Sequence, residues 1–444
     1  MFSALKNAFR TPELRKKIFY TLMILLIFRI GNAITVPFLD IEMLGKATEQ
    51  ISQSGFLGYL DILSGGAFSQ GSILALSIGP YINASIIIQL LTVAITPLQN
   101  MAKEEDGRRK LNRITRYTTI GLAALQAFGY YTILRNQYHV LDTRFVDISK
   151  GVTGSEIFYA ATIILIMMAG ACAIIWLGDR IDAKGIGNGI SMILFAGIVS
   201  RVPSVFHLFQ NWWNAGMKGG DGGYKIFYIP FMIIFFGLML YFIVSMNDAE
   251  RRIPIQYAKR VVGRKVYGGQ SQNFPIKVSM SGVMPMIFAT SILSVPTMIA
   301  SFIGEKNITP GWAVFFKLFD PSTSWLYAVL YFLLIIAFNY FYVFTQYDPV
   351  EIANNIRKNN GAIPGIRPGT PTATYIEKVI KRIVFIGAMF LSVVAILPIL
   401  LSLITGENLS LGGTSILIVV SVALETMRAL ESQMMMRYYK GFMD

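Results

Sequence analysis

Side chains that usually carry out acid–base or metal chemistry are scarce in this sequence. There are two histidines, His139 and His207, and one cysteine, Cys172. Both histidines are predicted to lie in loops without a neighbouring acidic or cysteine cluster, which argues against a metalloprotease, a serine–histidine intramembrane protease or an imidazole proton relay. A single cysteine in an apolar run allows neither an intrachain disulfide nor a thiolate metal site. We therefore expect no catalytic residues, no metal and no cofactor.

Nucleotide hydrolysis is not expected either. The chain contains no G-x-x-x-x-G-K-[ST] motif, the loop that cradles nucleotide phosphates. Any energy that the protein uses must therefore come from a partner.

The composition is typical of an integral membrane protein. Of the 444 residues, 54% are hydrophobic and 14% are charged, a balance that soluble domains of this size rarely tolerate. Runs of about 18 to 25 mostly apolar residues indicate membrane-spanning helices. No signal-peptidase-like site follows the first run, so it is expected to remain as span one. Ten spans are predicted, near residues 18–37, 73–97, 115–134, 156–177, 189–206, 226–246, 283–303, 325–345, 383–404 and 413–430.

The distribution of basic residues predicts the orientation. With residues at the edge of a span counted in the adjacent connection, both tails and the even-numbered connections hold 29 Lys and Arg, and the other connections hold 9. Cytoplasmic loops carry such an excess, so both termini are predicted to be cytoplasmic.

The net charge of +14 is thereby concentrated on one face. Topology and attraction to anionic lipids explain part of it. The long loops 247–281 and 346–382 also suit an acidic or RNA-bearing docking partner. Because the second loop is rich in proline and glycine, it is predicted to form a stiff, turn-rich projection rather than a helix.

Ionisable groups are rare within the predicted spans, whereas ion-coupled transporters keep them at mid-membrane. Arg29 is the clearest intramembrane charge. Either helix-end carbonyls satisfy its guanidinium, or it contacts a gate or a partner. Glu425 and Arg428 lie where their side chains reach the cytoplasmic interface.

A few uncharged polar side chains interrupt the apolar runs. Asn83, Ser85 and Gln89 do so in span two, and Gln126 does so in span three. They either hydrogen-bond between helices or mark a separable helix–helix seam that opens sideways.

The stretch LDILSGGAFSQGS, residues 60–72, precedes span two. It reads as a short helix that carries an aspartate and breaks at Ser64, Gly65 and Gly66. Such a piece at membrane depth is acceptable only where protein or a water-filled cavity surrounds it.

Several specific motifs follow one another along the chain. They are FRIG in span one, SGGA before GPYINASIIIQLLT, DGRRKLNRITRY after span two, GIGNGIS before span five, RRIPIQYAKR in the first long loop, PGIRPGTPTATYI in the second and GGTSILIVV in span ten. Together, from about residue 5 to residue 440, they resemble the SecY family, the central subunits of bacterial protein-conducting channels.

The resemblance implies an all-α polytopic membrane protein. Ten transmembrane helices would form two inverted, pseudosymmetric five-helix halves around a central hourglass pore, residues 1–205 (spans one to five) and 225–444 (spans six to ten). A lateral gate would lie between spans two and three on one side and seven and eight on the other. Its polar candidates are Asn83, Gln89 and Gln126.

The resemblance also implies a plug, a half-helix at about 57–70 that blocks the outer funnel. Its apolar side chains would pack beneath the constriction, the Ser-Gly-Gly break would act as a hinge, and Asp61 would keep the segment soluble enough to leave. The plug residues are Leu57, Leu60, Asp61, Ile62, Leu63, Ser64, Gly65, Gly66, Ala67 and Phe68. The family's pore ring is assigned to this sequence by matching the motifs. Its residues would be Ile78, Ile82, Ile190, Leu194, Ile287 and Ile418.

The function implied is translocation of unfolded secretory polypeptides with signal sequences, and lateral release of transmembrane segments into lipid, in the inner cell membrane. SecE and SecG would be partner subunits, and the motor ATPase SecA or the ribosome would dock on the basic loops. The docking residues would be Arg251, Arg252, Lys259, Arg260, Arg264, Lys265 and Arg367. The alternative is a multi-pass transporter of small solutes or lipids, which requires a polar midplane site.

Overall fold

The computed structural model of the chain is mostly helical. It describes residue 9 and residues 11–40, 43–44, 61, 64–136, 140–141, 154–217, 227–257, 260–262, 265–267, 271–303, 310–319, 324–405 and 413–440. The helices are α1 (Pro12–Ala33), α2 (Gly79–Ala94), α3 (Thr96–Lys103), α4 (Glu105–Asn136), α5 (Gly154–Lys184), α6 (Gly189–Val199), α7 (Val202–Met217), α8 (Tyr228–Asp248), α9 (Met284–Ile303), α10 (Pro310–Lys317), α11 (Trp325–Gln346), α12 (Pro349–Lys358), α13 (Thr370–Thr405) and α14 (Gly413–Lys440). The strands are β1 (Glu250–Tyr257), β2 (Arg260–Val262), β3 (Lys265–Tyr267), β4 (Ser271–Lys277) and β5 (Gly361–Ala362).

Several helices are long and apolar enough to cross a bilayer. Within the described residues, four segments meet this condition alone, and α2 with α3 meets it as a pair bent by 110°. Others, such as α4, begin with a charged turn well before the apolar run that was predicted as a span. The protein is a multi-pass membrane protein by these helices, and the count of ten spans stays a prediction. The four segments are Ile157–Lys184, Tyr228–Asp248, Trp325–Lys358 and Thr370–Leu401.

The fifth predicted span, 189–206, is not one continuous helix. Helix α6 ends at Val199, and α7 begins at Val202 after a break at Ser200 and Arg201. This also corrects the prediction that His207 lies in a loop, because it lies within α7. Pro203 in the first turn of α7 favours a new helix start at this point.

The second long loop is more helical than its proline content predicts. Helix α12 begins at Pro349, where the Asp348 carboxylate accepts hydrogen bonds from the backbone N–H of Val350 (2.8 Å) and Glu351 (3.4 Å). Helix α13 then begins at Thr370, so the irregular part is limited to residues 359–369. The prediction of a non-helical projection over 346–382 is therefore wrong at both ends. Aspartate followed by proline is a helix-start signal that outweighs the later prolines.

The two long loops form one platform. Strand β1 pairs antiparallel with β4, and β5 of the second loop pairs with the other edge of β1. Ile253 and Ile255 on β1 and Ile276 on β4 are buried against α12 and α13. The basic loops are thereby fixed to the helices below them.

Helix contacts fall into two groups along the chain. In the first, α1 packs on α5 and α6, α2 on α4, and α4 on α5. In the second, α9 packs on α11, α11 on α13, and α8 and α13 on α14. Across the groups, α6 contacts α14, and α9 contacts α2 and α4.

The contact between α5 and α6 depends on two glycines. A Cβ atom at Gly189 would overlap the carbonyl oxygen of Gly178, and a Cβ at Gly178 would lie 3.3 Å from Cγ1 of Ile190. The two backbones therefore approach more closely than any other residue type allows.

We expect Gly189→Ala to push α6 away from α5. Overpacking of this kind costs about 1–3 kcal/mol, which a lower thermal unfolding midpoint of the purified protein in detergent would report. Gly237→Ala in α8 is the matched control, because nothing lies within 4 Å of the added methyl group. Its midpoint should stay the same or rise, and equal midpoints for both variants would contradict the close approach.

Candidate pore, plug and gate

Five of the six side chains predicted for the pore ring lie in one apolar cluster. Ile78, Leu194 and Ile418 are buried within it, and Ile82 and Ile190 pack against it half-buried. Ile78 and Ile82 are one helical turn apart at the start of α2, as are Ile190 and Leu194 on α6, so each pair shares a face. With Ile418 on α14, the cluster joins both helix groups.

Ile287 is placed differently. It lies in the first turn of α9 and is 6% exposed. Among the residues that the structure describes, Val283 rather than Ile287 packs against the cluster. The sixth predicted position is therefore buried at the edge of this assembly and not within it.

The segment before α2 ends a helical stretch with a glycine cap. Asp61 and Ser64 have helical backbone, and Gly65 (φ 69°) and Gly66 (φ 88°) adopt the left-handed conformation that glycine tolerates. The Gly66 N–H donates to the carbonyl of Asp61 at 2.9 Å, the long-range bond of a Schellman cap. The predicted break is thus a defined turn. Four predicted plug residues, Leu57, Leu60, Ile62 and Leu63, lie outside the described residues.

Asp61 is fastened to protein and removed from water. It is 0% exposed, and its Oδ2 pairs with the guanidinium of Arg201 at the break between α6 and α7. Its Oδ1 accepts a hydrogen bond from the Ser69 N–H at 2.8 Å. This corrects the expectation that Asp61 keeps the segment soluble, because a buried and paired carboxylate holds the segment in place.

Other polar groups hold the carbonyls of the same turn. Asn32 on α1 donates from Nδ2 to the Ser64 carbonyl at 3.1 Å. The Gly65 carbonyl accepts from Arg29 Nη1 at 3.3 Å and from Ser200 Oγ at 3.4 Å. The intramembrane arginine noted in the sequence therefore contacts the turn itself.

Phe68 packs on α4. Ala67 and Phe68 are buried, and the Phe68 ring meets Tyr130 edge-on with centroids 4.4 Å apart. The Tyr130 hydroxyl donates to the Phe68 carbonyl. This corrects the expectation that Phe68 packs beneath the constriction, because its apolar cluster, with Val36 and Leu39, is not the one that holds the five ring candidates.

The three gate candidates lie on α2 and α4, the helices that α9 contacts across the groups. Asn83 and Gln126 are half-buried, and the Gln126 amide lies beside Gly79. Gln89 donates from Nε2 to Ser85 Oγ at 3.2 Å on its own helix.

A cavity of about 410 Å³ opens beside Gln89 between α2, α4 and α11. Its walls come from both helix groups and are mostly hydroxyl, amide and aromatic side chains. The lining residues are Ser85, Ile88, Gln89, Thr92, Ala102, Arg108, Leu111, Asn112, Thr115, Phe341, Tyr342, Thr345 and Gln346.

The structure describes five of the seven docking candidates. Arg251 and Arg252 on β1 and Arg367 beyond β5 are exposed on the platform. Arg260 lies in β2 and Lys265 in β3, and Lys259 and Arg264 lie outside the described residues.

Sequence reasoning missed several groups at these sites. Arg201, Ser200 and Asn32 hold the turn after Asp61, and Arg357 and Lys358 extend the basic platform at the end of α12. Arg201 carried a signal, since it is a charge inside an apolar run, two residues before a proline. Nothing in the sequence pairs it with a carboxylate 140 residues away.

The pKa of one platform residue, Lys277, is shifted. Burial lowers the pKa of the Lys277 ammonium on β4, and the nearby Arg428 guanidinium lowers it further. Arg428 in turn pairs with Asp248 at 2.6 Å, which joins the end of α8 to the middle of α14.

Comparisons with known proteins agree with this architecture. The SecY family model matches residues 72–427. The chain is 40% identical over 448 residues to the protein translocase subunit SecY of Thermotoga maritima, covering 100% of this chain and 98% of that protein.

Two solved structures share the fold. One is a SecY protein whose plug domain is described as stabilising the closed state of the translocation channel and maintaining a membrane seal (TM-score 0.60, 18% identity, 94% of this chain and 92% of that chain). The other is Sec61 in the canine ribosome-channel complex (TM-score 0.61, 20% identity, the same coverage). With a family model over most of its length and a full-length relative at 40% identity, this chain belongs to the SecY family.

Proposed function

We propose that this chain conducts unfolded secretory polypeptides across the membrane through an hourglass pore between two inverted five-helix halves, residues 1–205 and 225–444. Membership of the SecY family makes it a protein-translocation channel subunit and not an enzyme or a small-solute transporter. The observation that carries the pore proposal is the apolar cluster at which α2, α6 and α14 meet, beside a glycine-capped segment held on α6.

The cluster supplies the seal. A narrow waist lined by branched aliphatic side chains excludes water and ions by dewetting. Apolar contact has no direction to satisfy, so the same side chains yield around an extended polypeptide and close behind it. Ile78, Ile82, Ile190, Leu194 and Ile418 form the waist, and Ile287, one helical turn after Val283, borders it from the first turn of α9.

The glycine-capped turn is the plug. It contacts α6 at Gly197 and Ser200, about one to two turns along the helix from Leu194. That position is on the outer side of the waist when both termini are cytoplasmic. The plug domain described for the SecY structure of similar fold supports the same role here.

The seam between α2 and α4 on one side and α9 and α11 on the other is the lateral gate. Packing within each helix group is extensive, whereas α9 is the helix that reaches across to α2 and α4. Separation of the groups along this seam opens the pore to lipid and releases apolar segments sideways. Asn83, Gln89 and Gln126 provide polar contacts along it that are easily exchanged for water.

The proposed partners follow from the family and the platform. SecE and SecG complete the complex, and SecA or the ribosome docks on the basic loops, as the canine ribosome-channel complex supports. Anionic lipids of the inner cell membrane face the same basic surface. The motor or the ribosome supplies the energy for transport.

The waist predicts a leak when it is made polar. We expect Ile82→Asn to raise resting ion conductance in planar bilayers several-fold, because an amide in the waist holds water there. Ile87→Asn, on the more exposed side of the same helix (40% exposed), is the matched control. Equal conductance of both variants and the native protein would show that Ile82 does not line the waist.

The gate predicts that a bridge across the cavity blocks transport. In a Cys172→Ser background, cysteines at Gln89 and Thr345 can be joined by a reducible bifunctional reagent, because both positions line the cavity from opposite groups. We expect preprotein uptake into vesicles to stop and to return on reduction. Cysteines at Gln89 and Asn112, both in the first group, give a bridge that should leave uptake intact. Full uptake with the first bridge closed would refute the gate.

The platform predicts a charge-dependent docking step. We expect Arg367→Glu to lower SecA-driven uptake by at least about tenfold, since reversing an exposed charge places like charges together across an interface. Arg109→Glu is the control, because Arg109 is also exposed but lies on α4 and not on a platform strand or α12. The readout is ATP-dependent preprotein uptake at equal amounts of membrane-inserted channel, and a loss in both variants would indicate a general charge effect instead.

A further inference from the structure

We propose that the buried ion pair between Asp61 and Arg201 sets the threshold for channel opening and hence how strictly signal sequences are selected. The inference rests on the proposed function, because it requires the turn after Asp61 to be the plug. Arg201 is a positioning residue here: it acts through Asp61.

The pair joins the plug to the helix that carries two waist residues. Arg201 directly follows α6, on which Ile190 and Leu194 lie, and its side chain is 16% exposed. Asp61 is 0% exposed. Any plug movement away from α6 must therefore separate a buried carboxylate from a largely buried guanidinium.

Both carboxylate oxygens of Asp61 are engaged. Oδ2 pairs with Arg201, and Oδ1 accepts from the Ser69 N–H on the far side of the glycine turn. The carboxylate thereby ties together the two ends of the turn and fixes that turn to α6. Loss of this one group releases both connections at once.

The pair differs from the other polar contacts of the plug. Arg29, Asn32 and Ser200 donate to backbone carbonyls at Ser64 and Gly65, which any side chains in that turn would present. Among the plug contacts that the structure describes, Asp61 with Arg201 is a side-chain-to-side-chain pair, so its strength depends on the identity of two residues. Two guanidiniums, those of Arg29 and Arg201, converge on a segment that carries this one carboxylate.

The two charges give channel opening a distinct threshold. Removing one partner of a buried pair takes away the charge that offsets the desolvation of the other, which destabilises the state that buries it. In a displaced plug, both groups regain water in the outer funnel. The closed state alone is therefore penalised when either partner is neutralised, and removing both partners relieves much of that penalty.

The test begins with the native chain, purified with its partner subunits. Vesicles should take up a preprotein with SecA and ATP, and failure at this step would count against the proposed function itself. Asp61→Asn, Arg201→Gln and the double variant are then compared for resting conductance in planar bilayers and for uptake of a preprotein with a defective signal sequence. Asp179→Asn is the matched control, since it removes the carboxylate of an exposed ion pair with Arg116 (2.9 Å) in the same group.

Each single variant should raise resting conductance and uptake of the defective preprotein by at least about tenfold. This is less than the roughly hundredfold effect of losing one partner of a fully buried pair, because the Arg201 side chain is 16% exposed. In the double variant, the increases in conductance and uptake should be smaller than the sum of the increases in the two single variants. Arg201→Lys should restore part of the seal, and Asp179→Asn should match the native protein.

Native behaviour of both single variants, in a channel that transports normal preproteins, would overturn the proposal and leave the proposed function standing. Additive effects in the double variant would overturn it as well. If a neutral variant does not accumulate in membranes, Asp61→Glu and Arg201→Lys, which keep the charges but move them, carry the test. We expect both variants to show a moderately raised resting conductance. Native conductance in both would overturn the proposal.

Discussion

A polar group at membrane depth has no water to bind, so it must find its partner within the protein. The turn from Ser64 to Phe68 is non-helical backbone of this kind, and protein groups bind its carbonyls from three sides. Asn32 and Arg29 reach it from α1, Ser200 from the end of α6, and Tyr130 from α4. As the proposed plug, a turn held in this way leaves only into a space that supplies water, which links its movement to hydration of the proposed funnel.

Two kinds of interaction meet on α6, and each has a different role in the proposed channel. The waist side chains Ile190 and Leu194 make apolar contacts, which are graded and follow the shape of whatever passes. Beyond them, Gly197, Ser200 and Arg201 make close or directional contacts that are either present or lost. Ion exclusion can therefore persist around a moving chain, while entry to the open state remains a discrete step.

Much of this arrangement could be predicted from local sequence. The apolar runs and the glycine break at Gly65 depend on short-range patterns, whereas the ring candidates came from the family resemblance. What could not be predicted is tertiary: the partner of Arg201 is 140 residues away, and burial reverses the role that a lone Asp61 suggests. Where local signals were misjudged, as at Asp348 before α12, a strong helix cap outweighed the prolines that follow.

The platform and the gate share a helix, and this has a mechanical consequence. Val343 near the end of α11 is buried in the cluster that supports β1, β4 and α12, and the next turn carries Thr345 and Gln346 into the cavity wall. The opposite wall belongs to α2 and α4, which pack on each other. Close-packed elements move as units and do not deform continuously. A displacement of the platform relative to the first helix group therefore changes the cavity, where the two groups face each other across open space.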